Sequence, residues 1–169
     1  KMGWPLVTTD SSKAFLQGVT YDKLAKLTGE LFREVNFTLP PGIALSCLKK
    51  IPGFEDFSPL SHVLHNDKPG TGSVDAPRAF SIKLGLVTQN ELDFQPTTTD
   101  EELVVKHDKK SGALVAIMSK HVDDLKLSAE KDMILWIVKK LEDTFGPLKV
   151  DWHKFTNCGV RHIQDPVSM

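Results

Sequence analysis

Two adjacent carboxylates set between β-forming runs constrain this chain more than any other feature. The stretch Ser119-Lys120-His121-Val122-Asp123-Asp124-Leu125-Lys126 follows one apolar run, 114–118, and leads into another, 125–127. That pattern reads as a tight hairpin with the acids at its tip. A hairpin selected for stability would carry Asn-Gly or Asp-Gly there, because the favoured turns need positive φ. This one offers β-branched Val122 and two like charges. Local rules are broken in this way chiefly at functional sites. Two carboxylates this close repel each other unless a cation lies between them, and hard oxygen ligands favour Mg²⁺ or Mn²⁺. Asp-Asp pairs are also common in solvated turns, so the rest of the chain has to decide.

Taken in order, residues 4–9 are apolar and β-branched and predict a strand. Asp10 falls where that strand gives way to a turn or short helix, with Ser11 and Ser12 suited to capping. Taken alone, Asp10 reads as a helix cap. Leu24, Leu27 and Leu31 give residues 21–31 a helical stripe, and Val35, Phe37 and Leu39 alternate as in a half-buried strand closed by Pro40-Pro41-Gly42. A short element is expected over 44–48, and 51–66 reads as irregular. Lys68-Pro69-Gly70-Thr71-Gly72-Ser73 is Gly-rich but lacks the Gly-Lys-Ser/Thr of a phosphate loop, so it reads as a plain loop. A helix is expected from Asp75-Ala76-Pro77 to 86, capped by Asp75 with Pro77 in its first turn.

Residues 103–107 and 113–119 predict strands joined by a turn at 108–112, which stacks three or more antiparallel strands with the acidic hairpin. Ser128 can cap a helix over 129–145, stopped by Gly146-Pro147. Its stripe of Met133, Ile134, Ile137, Val138, Leu141 and Phe145 reads as core. Residues 148–152 and 155–162 close the chain as strands. The expected fold is α+β, an antiparallel sheet with helices packed on one face. If the first strand neighbours the hairpin, strand spacing of about 4.8 Å brings three acids together, the ligand set of a two-metal phosphoryl-transfer site.

Composition narrows the function classes. A net charge of −1 is unlike a free-standing nucleic-acid binder, which is usually basic, so any such contact must come from local stripes or from parts beyond this piece. No apolar run approaches the ~18 residues needed to span a bilayer, and the first residues lack a signal peptide's apolar region. Cys47 and Cys158 lack metal-ligand spacing and read as two reduced thiols of an intracellular protein. His153 and His162 flank no ligand set.

With these residues in place, the chain resembles the reverse transcriptase of copia-type LTR retrotransposons, nearly end to end and in the same order. Asp10-Ser-Ser-Lys-Ala-Phe-Leu-Gln-Gly18 is similar to the family's Asp-Val-Lys-Thr-Ala-Phe-Leu-Asn-Gly. Glu34-Val35-Asn36-Phe37 through Gly42 resembles Glu-Val-Tyr-Met and Pro-Pro-Gly. Residues 68–72 with Asp75-Ala76-Pro77-Arg78-Ala79-Phe80 resemble Leu-Tyr-Gly-Leu-Lys-Gln-Ala-Pro-Arg-Ala-Trp. His121-Val122-Asp123-Asp124 stands for Tyr-Val-Asp-Asp, and residues 155–160 are similar to a Phe-Leu-Gly segment.

The resemblance implies a right-hand polymerase palm of ferredoxin-like form, one partial domain over 1–169 with incomplete fingers, no thumb and a primer-grip-like end at 155–162. It implies RNA-directed DNA polymerase activity, adding deoxynucleoside triphosphates to a primer on an RNA or DNA template. By position, Asp10, Asp123 and Asp124 would be catalytic and hold Mg²⁺ or Mn²⁺, Asp124 less directly, with the Ser11 carbonyl as a further ligand. Lys13, Ala14, Phe15 and Gly72 would bind the nucleotide, Phe15 excluding a 2′-hydroxyl. Asn157, Cys158 and Gly159 would grip the primer end. Integrase and RNase H of the same polyprotein are the implied partners.

The departures are specific. His121 replaces the family's Tyr, and Thr71 and Val74 stand where it has Tyr and Lys. The chain begins just before the first acid, so the family's basic fingers strands would precede it. These departures carry a rival expectation, a catalytically inactive remnant serving as a structural or binding subunit. A third is a ferredoxin-like module with a solvated Asp-Asp turn.

Overall fold

Alternation of buried and open positions along successive strands organises the molecule. The computed structural model describes residues 3–40 and 45–165; Pro41 and Gly42, named above, and the first position of the element expected over 44–48 lie outside the described residues. The elements are β1 (Leu6–Ser11), a 3₁₀ turn (Ala14–Gln17), α1 (Tyr21–Thr28), β2 (Asn36–Phe37), α2 (Leu45–Leu48), β3 (Leu64–His65), α3 (Ala76–Leu86), β4 (Gln95–Pro96), β5 (Leu103–His107), β6 (Leu114–His121), β7 (Asp124–Ala129), α4 (Lys131–Phe145), β8 (Leu148–Trp152), β9 (Lys154–Asn157) and β10 (Val160–Ile163). The architecture is α+β. A six-stranded sheet runs β4-β5-β6-β7-β1-β8, and all of its pairings are antiparallel. Among the described residues no helix is long and apolar enough to cross a membrane.

Strand side chains alternate between faces, and one face of this sheet is the core. Val7, Val104, Ala116, Met118, Leu125 and Leu127 point into it and meet Phe80 and Leu84 of α3 and the stripe of α4. Within that stripe Ile134, Ile137, Val138, Leu141 and Phe145 are all buried, each worth roughly 1.5–3 kcal/mol of burial. The Phe80 and Phe145 rings lie 5.4 Å apart and tie the two helices together. The opposite face carries Thr8, Asp10, Ser119, His121, Asp124, Lys126, Lys149 and Asp151, the partners of one another in the ladders. Among the described residues the α3 and α4 contacts fall on the core face, not here; the β9–β10 hairpin folds back over part of this face, seated by buried Phe155 and Asn157.

Several local expectations are corrected. Asp10 and Ser11 lie within β1, so neither caps a helix; the 3₁₀ turn starts after Lys13, in the left-handed region, with no side-chain cap. The half-buried strand over 33–39 shrinks to exposed β2, which pairs only with the two residues of β3. Ser128 is inside β7 and donates to the Pro5 carbonyl, so α4 begins later, after Glu130. Asp75 stands at the start of α3, yet its carboxylate bonds Arg33 at 2.8 Å instead of capping. The 155–162 strand is a hairpin of two. A π-helical turn over Val87–Glu91 extends α3; its end is held by the Lys106 ammonium, 2.6 Å from the Leu92 carbonyl.

Two features fix where β1 sits. Gly18 follows the 3₁₀ turn, and a Cβ there would lie 2.9 Å from the Ala79 Cβ and 3.0 Å from α3 backbone atoms. Only glycine permits that approach, and the Val19 N–H then reaches the Ala79 carbonyl. At the other end, the Gln164 side chain accepts from the Leu6 N–H at 2.7 Å, donates to the Trp4 carbonyl at 2.8 Å and meets His153 Nδ1 at 2.9 Å. The strand bearing Asp10 is thereby held at both ends.

Candidate functional site

The antiparallel register brings two of the three acids to one place. In the β1–β7 ladder Leu6 faces Ser128 and the last pair is Thr9 with Leu125; Asp10 and Asp124 are the next residue on each strand, and the same register carried one step further sets them across from each other. Opposed residues in such a ladder point to the same face, with α-carbons about 5 Å apart. Asp10 also faces Lys149 across β8, and Asp124 faces His121 across β6. One row, Lys149–Asp10–Asp124–His121, therefore crosses four strands on the face opposite the core. Like charges directly opposite destabilise a strand pair, so a sheet shaped by stability alone would not place aspartate against aspartate.

Asp123 belongs to the loop. β6 and β7 are joined by Val122 and Asp123 alone, between the paired His121 and Asp124. Val122 has φ 55° and Asp123 is not in the left-handed region, the pattern of a type II′ turn, whose first central position suits glycine. A β-branched residue there stores about 1–3 kcal/mol of strain. Asp123 and Asp124 are half-buried and Asp10 is exposed.

The three acids fit a hard divalent cation in donor chemistry: all are carboxylates, and no hydrogen bond or ion pair within the described residues occupies them. Lys149 is held by Asp151 at 2.9 Å; that bond and the Asp151 charge hold its ammonium above the usual lysine range, with Asp10 adding to the effect. The side chains as they stand do not close into a ligand cage: among the described residues no group of three or more His, Cys, Asp or Glu is arranged to hold a metal ion.

The remaining candidates divide between surface and core. Ser11 pairs with Leu148, and its hydroxyl is buried without a partner, as is that of Thr9. Lys13 is exposed at φ 58°. Ala14 is buried in the core, and half-buried Phe15 packs against it. Gly72 is an exposed turn residue at φ 91°, two residues beyond Gly70, where an added Cβ would meet Leu16 at 3.6 Å. At the tip of the β9–β10 hairpin, Cys158 and Gly159 both have positive φ, as a type I′ turn requires. They are exposed, whereas Asn157 turns inward, its Nδ2 donating to Thr8 Oγ1 at 3.3 Å while Thr8 donates to the Leu125 carbonyl at 2.8 Å.

A cleft of ≈ 420 Å³ lies beneath this hairpin, lined in part by Ser119, His121, Lys126, Asn157, Cys158 and His162. Sequence reasoning named Ser119 and Lys126 only as part of the hairpin stretch and did not place them in a cleft; their alternation with Met118 and Leu125 was the available signal. Comparison with known proteins found no matching family model, no similar curated protein and no similar solved structure at a significant level.

Proposed function

We propose that this chain is the palm of an RNA-directed DNA polymerase of the copia-type retrotransposon class. The observation that carries the reading is that Asp10 and Asp124 directly follow the last pair of the β1–β7 ladder on neighbouring strands, with Asp123 in a strained loop beside Asp124. Asp10, Asp123 and Asp124 would hold Mg²⁺ or Mn²⁺, with the Ser11 carbonyl as a further oxygen. When bound, such ions lower the pKa of an attacking hydroxyl and stabilise charge on a phosphoryl group in transfer.

The chain's own residues supply the rest of the reading. The strand ladder sets the acids' spacing, and the Gly18 and Gln164 contacts hold that ladder in place. Exposed Lys13 would meet a triphosphate. Phe15, backed by the core, would form a rigid wall against the sugar, and Ala14 would serve as the packing that supports it. Gly72 would line the template side. The β9–β10 tip, with Cys158 and Gly159, would approach a primer, while Asn157 seats that hairpin on β1. Template, primer, deoxynucleoside triphosphates and the neighbouring integrase and RNase H segments are the partners this function requires.

The open arrangement of the carboxylates favours a second reading, an inactive remnant that serves as a structural or binding subunit. Primer extension separates the two. With Mg²⁺ or Mn²⁺, a primed template and all four deoxynucleotides, the polymerase reading expects incorporation that disappears with chelator and in Asp10→Asn. Incorporation no greater than the metal-free control, from folded protein, assigns the chain to the remnant class.

A further inference from the structure

A second cleft, ≈ 480 Å³, opens between α1, α3 and the β4–β5 connection. Leu27, Ile82, Leu86 and Pro96 give it an apolar part, beside polar Ser81 and Gln89, and Leu27 is 48% exposed. Glu101, Glu102 and Lys120 also line it, joined to one another by sequence and by the Glu102–Lys120 contacts. Both glutamates are exposed, and Lys120 is only 7% exposed. The Lys120 ammonium lies 3.4 Å from the Glu102 carboxylate, longer than the 2.7–2.9 Å typical of a charge-assisted bond. Two carboxylates against one ammonium leave this part of the lining with an excess negative charge.

Gly85, in the body of α3, lines the same cleft. A Cβ added there would meet nothing within 4 Å, and its φ is not in the left-handed range. Glycine is less favourable than alanine inside a helix, and among the described residues no close contact requires it here, in contrast to Gly18. What the missing side chain provides is room above the helix.

We propose that this cleft binds a small amphipathic cation. Its apolar body would lie over Gly85 between Leu27, Ile82 and Leu86, with its ammonium or guanidinium at Glu101 and Glu102. The volume falls within the range of small-molecule sites, roughly 300–1,000 Å³. Occupancy would be felt at the acidic hairpin, because Lys120 directly precedes His121 and Glu102 holds Lys120 twice, through its side chain and through the Lys120 N–H to Glu102 carbonyl bond of 2.8 Å. Lys120 also lines the cleft beneath the β9–β10 hairpin. None of this depends on the polymerase reading.

Phenethylamine and hydrocinnamate, matched in size and opposite in charge, test the proposal when titrated into the full chain and followed by amide NMR. Phenethylamine is expected to shift the Gly85, Glu102 and Lys120 resonances and to bind about tenfold or more tightly than hydrocinnamate, a difference of about 1.4 kcal/mol. Gly85→Leu should abolish that binding while leaving the fold at least as stable, and the double change Glu101→Gln, Glu102→Gln should remove the preference for the cation. Equal or tighter binding of hydrocinnamate, no shift with either probe, or undiminished binding to Gly85→Leu would overturn it.

Discussion

Val122 departs furthest from what its residue type prefers. It is β-branched, 37% exposed and held at φ 55° in a two-residue turn, where glycine would be unstrained. Val122→Gly is therefore expected to raise unfolding stability by about 1 kcal/mol, strain relief exceeding glycine's added unfolded-state entropy. The urea midpoint at unchanged m-value measures it; a lower midpoint would show that Val122 is not strained. Thr9 makes a parallel case on the other face. Its hydroxyl is buried with no partner, and the ladder sets Leu125 and Val150 on either side. A buried unpaired hydroxyl costs about 1–3 kcal/mol. Thr9→Val keeps the shape and should stabilise the chain by about 1 kcal/mol in the same assay, whereas a loss of stability would reveal a partner for that oxygen. The acids at 123 and 124 stood out in the sequence because they broke such a rule, whereas Asp10 taken alone read as a helix cap. The two orphan hydroxyls of β1 did not, since Thr and Ser in a strand are ordinary until burial is known.

Long periodic elements were the most legible. Residues 103–107 and 148–152 form strands as the sequence predicts, and the stripe of α4 is buried through Phe145. Errors concentrated where tertiary contact outweighs local signal. Ser128 looks like a cap, but β7 continues past it because Ala129 pairs with Ala116 and is buried in the core. The 33–39 segment alternates like a strand, yet it finds only the two residues of β3 as a partner. The π-helical turn and the left-handed His153 between β8 and β9 have no short-range signature. The packing of the 3₁₀ turn against α3 belongs to this scale too. Gly18→Ala should destabilise the fold by about 1–3 kcal/mol, because the new methyl meets Ala79 at 2.9 Å and helix backbone at 3.0 Å. Thermal unfolding checks this, and an unchanged midpoint would mean that α3 shifts freely away from β1.

At the scale of the whole molecule, the helices pack on one face of the sheet and the β9–β10 hairpin covers part of the other, and the chain sets Asp10 and Asp124 on that second face. The α+β class and the one-sided packing were readable from alternation and the amphipathic stripe of α4. The strand order was not, because nothing local says that β1 inserts between β7 and β8. That insertion turns an acid 113 positions away in the chain from the hairpin tip into its neighbour. The central claim is that Asp10 and the hairpin acids form one cation site, and Mn²⁺ binding followed by electron paramagnetic resonance tests it most directly. The hairpin acids alone could hold a cation weakly, so the decisive comparison is the intact chain with Asp10→Asn. The account predicts saturable binding to the intact chain, weakened about tenfold or more by that change, a loss of about 1.4 kcal/mol. Equal binding by both, or none by either, would contradict it.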